Sequence, residues 1–148
     1  MKADQPRTGP QAAEIASGFA NPEYLLTLTA IVIFLALVIP PIQRELQWRR
    51  NLKALGALRS AAARYAAETK TKGPKYLSDL AQEGRYLPGI PSIAILGKHP
   101  SSAQVRTLGQ TDDSGGWTHA DWPGSPREGE VWINFTHTDN RGKAWNEY

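Results

Sequence analysis

The chain has 148 residues, enough for one domain of ordinary size. Its 17 Lys and Arg against 14 Asp and Glu leave a net charge of +3, too small an excess to point to nucleic acid as a partner. The absence of cysteine excludes disulfide frameworks, thiol catalysis and thiolate metal sites, and three scattered histidines argue against a His-ligated metal enzyme.

Charge is unevenly placed. Residues 44–75 hold nine basic and two acidic side chains, whereas residues 76–148 hold six and nine. A basic stretch therefore precedes a mildly acidic one. Much of the apolar content sits in one run near the N-terminus, a distribution unlike that of a compact soluble enzyme.

Residues 1–18 are polar, small and punctuated by Pro and Gly, the composition of a disordered or removable segment. From Tyr24 to Gln43 follow twenty residues without a charge. As a helix these span about 30 Å, the thickness of a bilayer's hydrocarbon core. A buried core helix would need more surrounding protein than this chain offers, and a secretory signal has a shorter apolar core. Thr27 and Thr29 can return their hydroxyls to the helix backbone. Pro40 and Pro41 fall at the far end, where a kink costs least.

Beyond Arg44 a helical pattern continues. Leu52, Leu55, Leu58, Ala62 and Tyr65 recur at three- and four-residue steps, with Arg49, Arg50, Lys53, Arg59 and Arg64 mostly on other faces. Gly73-Pro74 should end a helix running from about Pro22 to Lys72. Tyr76, Leu77 and Leu80 fit a short helix, after which Gly84, Pro88, Gly89 and Pro91 force an irregular course. Residues 98–116 are polar and turn-rich. Trp117 opens a short strand, and Val131, Ile133 and Phe135 alternate with Trp132, Asn134 and Thr136 in a second. Residues 143–148, KAWNEY, would form a last strand after a turn at 139–142. The expected fold is α+β: a long N-terminal helix, half transmembrane and half amphipathic, packed on a small C-terminal antiparallel sheet.

Phe19-Ala20-Asn21-Pro22-Glu23 follows Gly18 directly, and Pro40 stands seventeen residues after Glu23. Together with the spanning run, the amphipathic stem, the segment GPKYLSDLAQEGRYLPGIP and the ending GEVWINFTHTDNRGKAWNEY, this layout resembles type IV pilin-like proteins, in particular the pseudopilins of type II secretion. The resemblance implies a leader over 1–18, a transmembrane helix segment over 19–43, a stem helix over 44–72 and a globular head over 73–148. It implies cleavage by a prepilin peptidase between Gly18 and Phe19, N-methylation of Phe19, and a subunit-assembly role for Glu23. Implied partners are copies of the chain, other pilin-like subunits, an inner-membrane assembly platform with its cytoplasmic ATPase, and the lipid bilayer. The implied location is a single pass of the bacterial inner membrane with the head in the periplasm, then a pilus or pseudopilus. Charge counting alone points the other way: Lys2 and Arg7 precede the span, while Arg44, Arg49, Arg50, Lys53 and Arg59 follow it.

Glu23 is the informative residue. A carboxylate at the edge of hydrocarbon must be paired, protonated or near the interface. Cleavage after Gly18 would free an α-amino group on Phe19, one turn away, able to neutralise Glu23 of a neighbouring copy. The alternative is an ordinary first-turn acid after Pro22, favoured by the helix dipole.

No catalytic residues, no cofactor and no metal are expected. Asp112, Asp113, Asp121 and Asp139 offer hard oxygen ligands, which leaves calcium as an alternative. They show no EF-hand spacing and sit among turn-forming residues. Trp117, Trp122, Trp132 and Trp145 crowd the last third. Packing accounts for them better than a ligand-binding face, although a membrane-anchored binding domain with an uncut leader is the competing reading. His99, His119 and His137 come from different segments, and no nucleophile stands beside them.

Overall fold

A computed structural model describes residues 22–107, 110–121 and 124–148, and its contacts divide the chain into two units between Ile42 and Gln43. The fold is α+β, with one long helix, α1 (Pro22–Thr69), followed by small antiparallel and mixed sheets.

In the first unit, the α1 residues Pro22–Ile42 present apolar side chains outward all round. Leu26 is 75% exposed, Phe34 63% and Leu37 71%, and no side chain in this stretch is buried. The Thr27 and Thr29 hydroxyls donate to the Glu23 and Leu25 carbonyls at 2.9 and 2.7 Å, so neither leaves a polar group unpaired. This helix is long and apolar enough to cross a membrane.

The second unit, Gln43–Tyr148, contains the rest of α1 together with the sheets. Leu55, Leu58, Ala61 and Ala62 form the buried stripe, with Leu52 and Tyr65 at its margins, as the three-and-four spacing predicts. Asn51 joins them at 3% exposure because its Nδ2 donates to the Ala94 carbonyl at 2.8 Å. Helix α1 stops at Thr69, before the Gly-Pro pair. Lys70 takes a left-handed conformation at φ 55°, and the Thr71 N–H donates back to the Ala66 carbonyl at 3.2 Å, closing the last turn.

A 3-10 helix at Leu77–Gly84, broken at Gln82 and Glu83, buries Leu77 and Leu80 against the stripe. Strands β1 (Ile93–Ile95) and β2 (His99–Ser102) form an antiparallel pair. Strands β3 (Val105–Thr107), β4 (Trp117–His119) and β5 (Val131–Ile133) form a second sheet, in which β4 runs parallel to β3 and antiparallel to β5. The sheet region is thus mixed, and the polar stretch 98–116 contributes two of its strands. Both faces of 131–135 are buried, including Trp132 and Asn134 on the face opposite Val131 and Ile133.

Residues 143–148 do not form the expected last strand. One bridge, Thr138 to Ala144, is followed by a 3-10 turn at Trp145–Glu147. The backbone is committed elsewhere: the Trp145 N–H donates to the His137 carbonyl, and the Glu147 and Tyr148 amides donate within the turn.

Gly116 shows why β4 starts where it does. It sits at φ +72°, and a Cβ there would stand 2.2 Å from the Gln104 carbonyl oxygen, the same oxygen that accepts the Trp117 N–H at 2.8 Å. Only glycine allows the chain to enter β4 this close to the start of β3.

Candidate functional site

Two regions carry chemistry. The first is the start of α1. Glu23 lies in its first turn, exposed, and is the one acidic side chain there. An acid at this position complements the unpaired N–H groups of a helix start. Gly18 and Phe19, the expected cleavage and methylation positions, lie outside the described residues.

The second is the cluster of loops that precedes β4 and follows β5. Asn134, fully buried, is its hub. Its Nδ2 donates to Asp112 Oδ1 at 2.6 Å, Ser114 Oγ at 3.0 Å and the Gly115 carbonyl at 3.3 Å, and its Oδ1 accepts the Asp112 N–H at 3.0 Å. Bonds from the Ser114 hydroxyl, Asn134 and the Ser114 N–H lower the Asp112 pKa to about 2. One side chain therefore fixes the whole turn.

Asp113 follows at φ 59°, a left-handed position that Asp tolerates better than most residues. Its Oδ1 accepts the Thr136 N–H at 2.8 Å. Burial works against its charge, but the bonds from Thr136 and the nearby imidazoles of His137 and His99 hold its pKa below the ordinary value. His99 Nε2 stands 3.5 Å from Oδ1 and His137 Nε2 stands 3.4 Å from Oδ2. The His99 ring stacks on Phe135 with centroids 4.6 Å apart.

The four aspartates named from the sequence do not converge. Among the described residues, the one group of three or more potential ligands of the His, Asp and Glu type is His99, Asp113 and His137. Asp112 is spent on Ser114 and Asn134. Asp139 accepts from Trp48 Nε1 at 2.9 Å, from the Tyr148 hydroxyl, and from the N–H groups of Arg141 and Lys143 at 2.8 and 2.9 Å. Asp121 lies beside His119, on the far side of β4 in sequence. The three histidine segments do meet in part: His99 and His137 share a site, while His119 is buried apart with neither ring nitrogen bonded. The pairing was hinted at by strand alternation, since His137 stands two residues beyond the inward-facing Phe135, but nothing local tied His99 to it.

The tryptophans pack. Trp117 is 0% exposed and donates to the Pro91 carbonyl at 2.7 Å. Trp132 is 1% exposed, donates to Thr111 Oγ1 at 3.0 Å, and carries the Arg127 guanidinium 4.0 Å over its ring. Trp145 is buried in the core. These three are buried, and Trp122 lies outside the described residues. Trp48, on α1, was not anticipated: the heptad-like stripe starts one turn later, and its indole is held by a partner 91 residues away.

No family model, no curated protein and no solved structure matches the chain.

Proposed function

We propose that the chain is a structural subunit of a type IV pilus-like or type II secretion pseudopilus filament, assembled through the apolar first half of α1 after its leader is removed. The observation that carries this reading is a helix whose Tyr24–Ile42 side chains are uncharged, almost all apolar and, among the described residues, nowhere buried, with one carboxylate, Glu23, in its first turn. A lone anchor needs apolar length. It does not need an acid one residue before the apolar run, where burial in lipid or among neighbours costs several kcal/mol unless a cation meets it.

Cleavage between Gly18 and Phe19 supplies that cation as the new α-ammonium. Paired with Glu23 of an adjacent copy, it fixes the axial register of neighbouring helices, while close van der Waals fit of the apolar side chains supplies cohesion. The head, held to the stem by the Leu55–Leu58–Ala61–Ala62 stripe, would face the periplasm and the filament surface.

The test is Glu23→Ala in the native host. Membrane insertion should persist and incorporation into filaments should fall to background; incorporation at the normal level refutes the assembly role. Mass spectrometry of the membrane-extracted protein adds an independent reading. A mature N-terminus at N-methylated Phe19 supports the filament subunit, and one at Met1 supports the uncut anchor.

A further inference from the structure

We propose that His99, Asp113 and His137 form a binding site for a divalent transition-metal cation, zinc by its donor set, that ties three separate segments of the head together. The three ligand groups come from the start of β2, the loop before β4 and the segment after β5, and their donor atoms all lie within 4.8 Å of one another.

The spacing is that of ligands rather than of hydrogen-bond partners. Two atoms bound tetrahedrally to zinc at 2.0–2.1 Å stand about 3.3–3.4 Å apart. His99 Nε2 lies 3.5 Å from Asp113 Oδ1 and His137 Nε2 3.4 Å from Oδ2, so each imidazole faces its own carboxylate oxygen, beyond the range of a good N–H···O bond. All three donor atoms lie within 4.8 Å of one another, and a modest rotation of the partly exposed His137 ring brings them to ligand spacing. His99 supplies the independent observation. Its Nε2 is fully buried, has no hydrogen-bond partner and faces Asp113.

The supporting contacts orient the ligands. The Thr136 N–H fixes the Asp113 carboxylate at 2.8 Å, and stacking on Phe135 fixes the His99 ring. Asp113 is 30% exposed and His137 31%, so water can complete the coordination. Two imidazole nitrogens and one carboxylate match zinc or its first-row neighbours. Calcium and magnesium take oxygen donors and find one here.

Among the described residues, Lys98 opposes the cation. Lys98 Nζ lies 3.2 Å from His137 Nδ1. Donation from the ammonium to Nδ1 leaves the proton of that ring on Nε2. Metal binding moves it to Nδ1 and sends the exposed Lys98 into solvent. Lys98 therefore weakens the site without forming part of it, and its removal should strengthen binding.

The experiment uses the full chain without an affinity tag, in detergent, stripped with EDTA and titrated with zinc sulfate against a chromogenic chelator. One zinc per chain is expected. At a free concentration 100-fold above Kd, the head's melting temperature should rise by on the order of 10 °C. Asp113→Asn, which tolerates the left-handed backbone, and His137→Gln should each weaken binding by at least about 100-fold. Lys98→Met should tighten it roughly threefold or more. Calcium at the same concentration should leave the melt unchanged. Circular dichroism checks that the variants fold; should Asp113→Asn fail to fold, the partly exposed His137→Gln carries the test. The proposal is overturned if the wild type shows no saturable zinc binding, if His137→Gln binds as tightly as the wild type, or if calcium stabilises as strongly as zinc.

Discussion

Asp139 binds four donors with two oxygens, and its replacement measures how firmly the last dozen residues are held to the stem. Oδ1 takes the amides of Arg141 and Lys143 in an exposed turn, where water substitutes at little cost. Oδ2 takes the Trp48 indole N–H and the Tyr148 hydroxyl in a part-buried setting. Hydrogen bonds to a charged acceptor contribute about 1.5–3 kcal/mol each; the low end for the two part-buried bonds and a few tenths for each amide give about 3–4 kcal/mol for Asp139→Ala. Asp139→Asn keeps one acceptor oxygen and turns an NH2 group toward donors on the other side. Its cost should be about 2–3 kcal/mol even though the shape is unchanged. Urea unfolding in detergent, followed by tryptophan fluorescence, reads both values. Tyr148→Phe in the Asp139→Ala background should then add less than it does alone, because its partner has already gone. Losses below about 0.5 kcal/mol for both Asp139 variants would refute the account.

Two other outcomes follow from the same structure. Gly116→Ala combines a left-handed backbone with a Cβ driven into the Gln104 carbonyl, and should cost about 3 kcal/mol or more, read as a lowered urea midpoint; a midpoint within error of the wild type would contradict the close approach of β3 and β4. Acidification in EDTA should destabilise the head in two stages. Burial lowers the His119 pKa from its ordinary 6.5, so the unfolded chain takes up that proton first and stability begins to drain as pH falls below that value. Asp112 and Asp139, also lowered on folding, contribute stability that is complete above the ordinary carboxylate value of 3.8 and is lost as pH falls through their folded values, about 2 for Asp112. A melting temperature that rises between pH 7 and 5 would refute the first stage.

Elements set by local periodicity were legible in the sequence. The uncharged run and the Leu-Ala stripe each announce a helix, because burial on one face of a helix requires residues three and four apart. Val131, Ile133 and Phe135 announce a strand in the same way. What escaped was set by contacts across the chain. Strands β2 and β3 carry His, Pro, Ser, Arg and Thr rather than an apolar alternation, and they are strands because their backbones pair with β1 and β4. Residues 143–148 follow a turn and carry the large aromatics of a strand, yet Trp145 and Tyr148 are claimed by the core and by Asp139. Lys70, rather than Gly73, ends α1 through a left-handed turn that propensity does not foresee. The four aspartates looked alike as residue types; Asn134 on one side and Trp48 with Tyr148 on the other divide them into unrelated tasks.

The attachment of the C-terminal segment to the stem also sets when the head can be finished. Glu45, Trp48 and Arg59 find their partners in Asn140, Asp139 and Tyr148, between 89 and 95 residues further along. A chain emerging from the ribosome cannot seat its stem tryptophan until nearly all of the head has been synthesised, and such distant closures slow folding. A product stopped short of residue 139 would leave that indole uncovered, a visible mark by which a protease or chaperone could tell an incomplete subunit from a finished one.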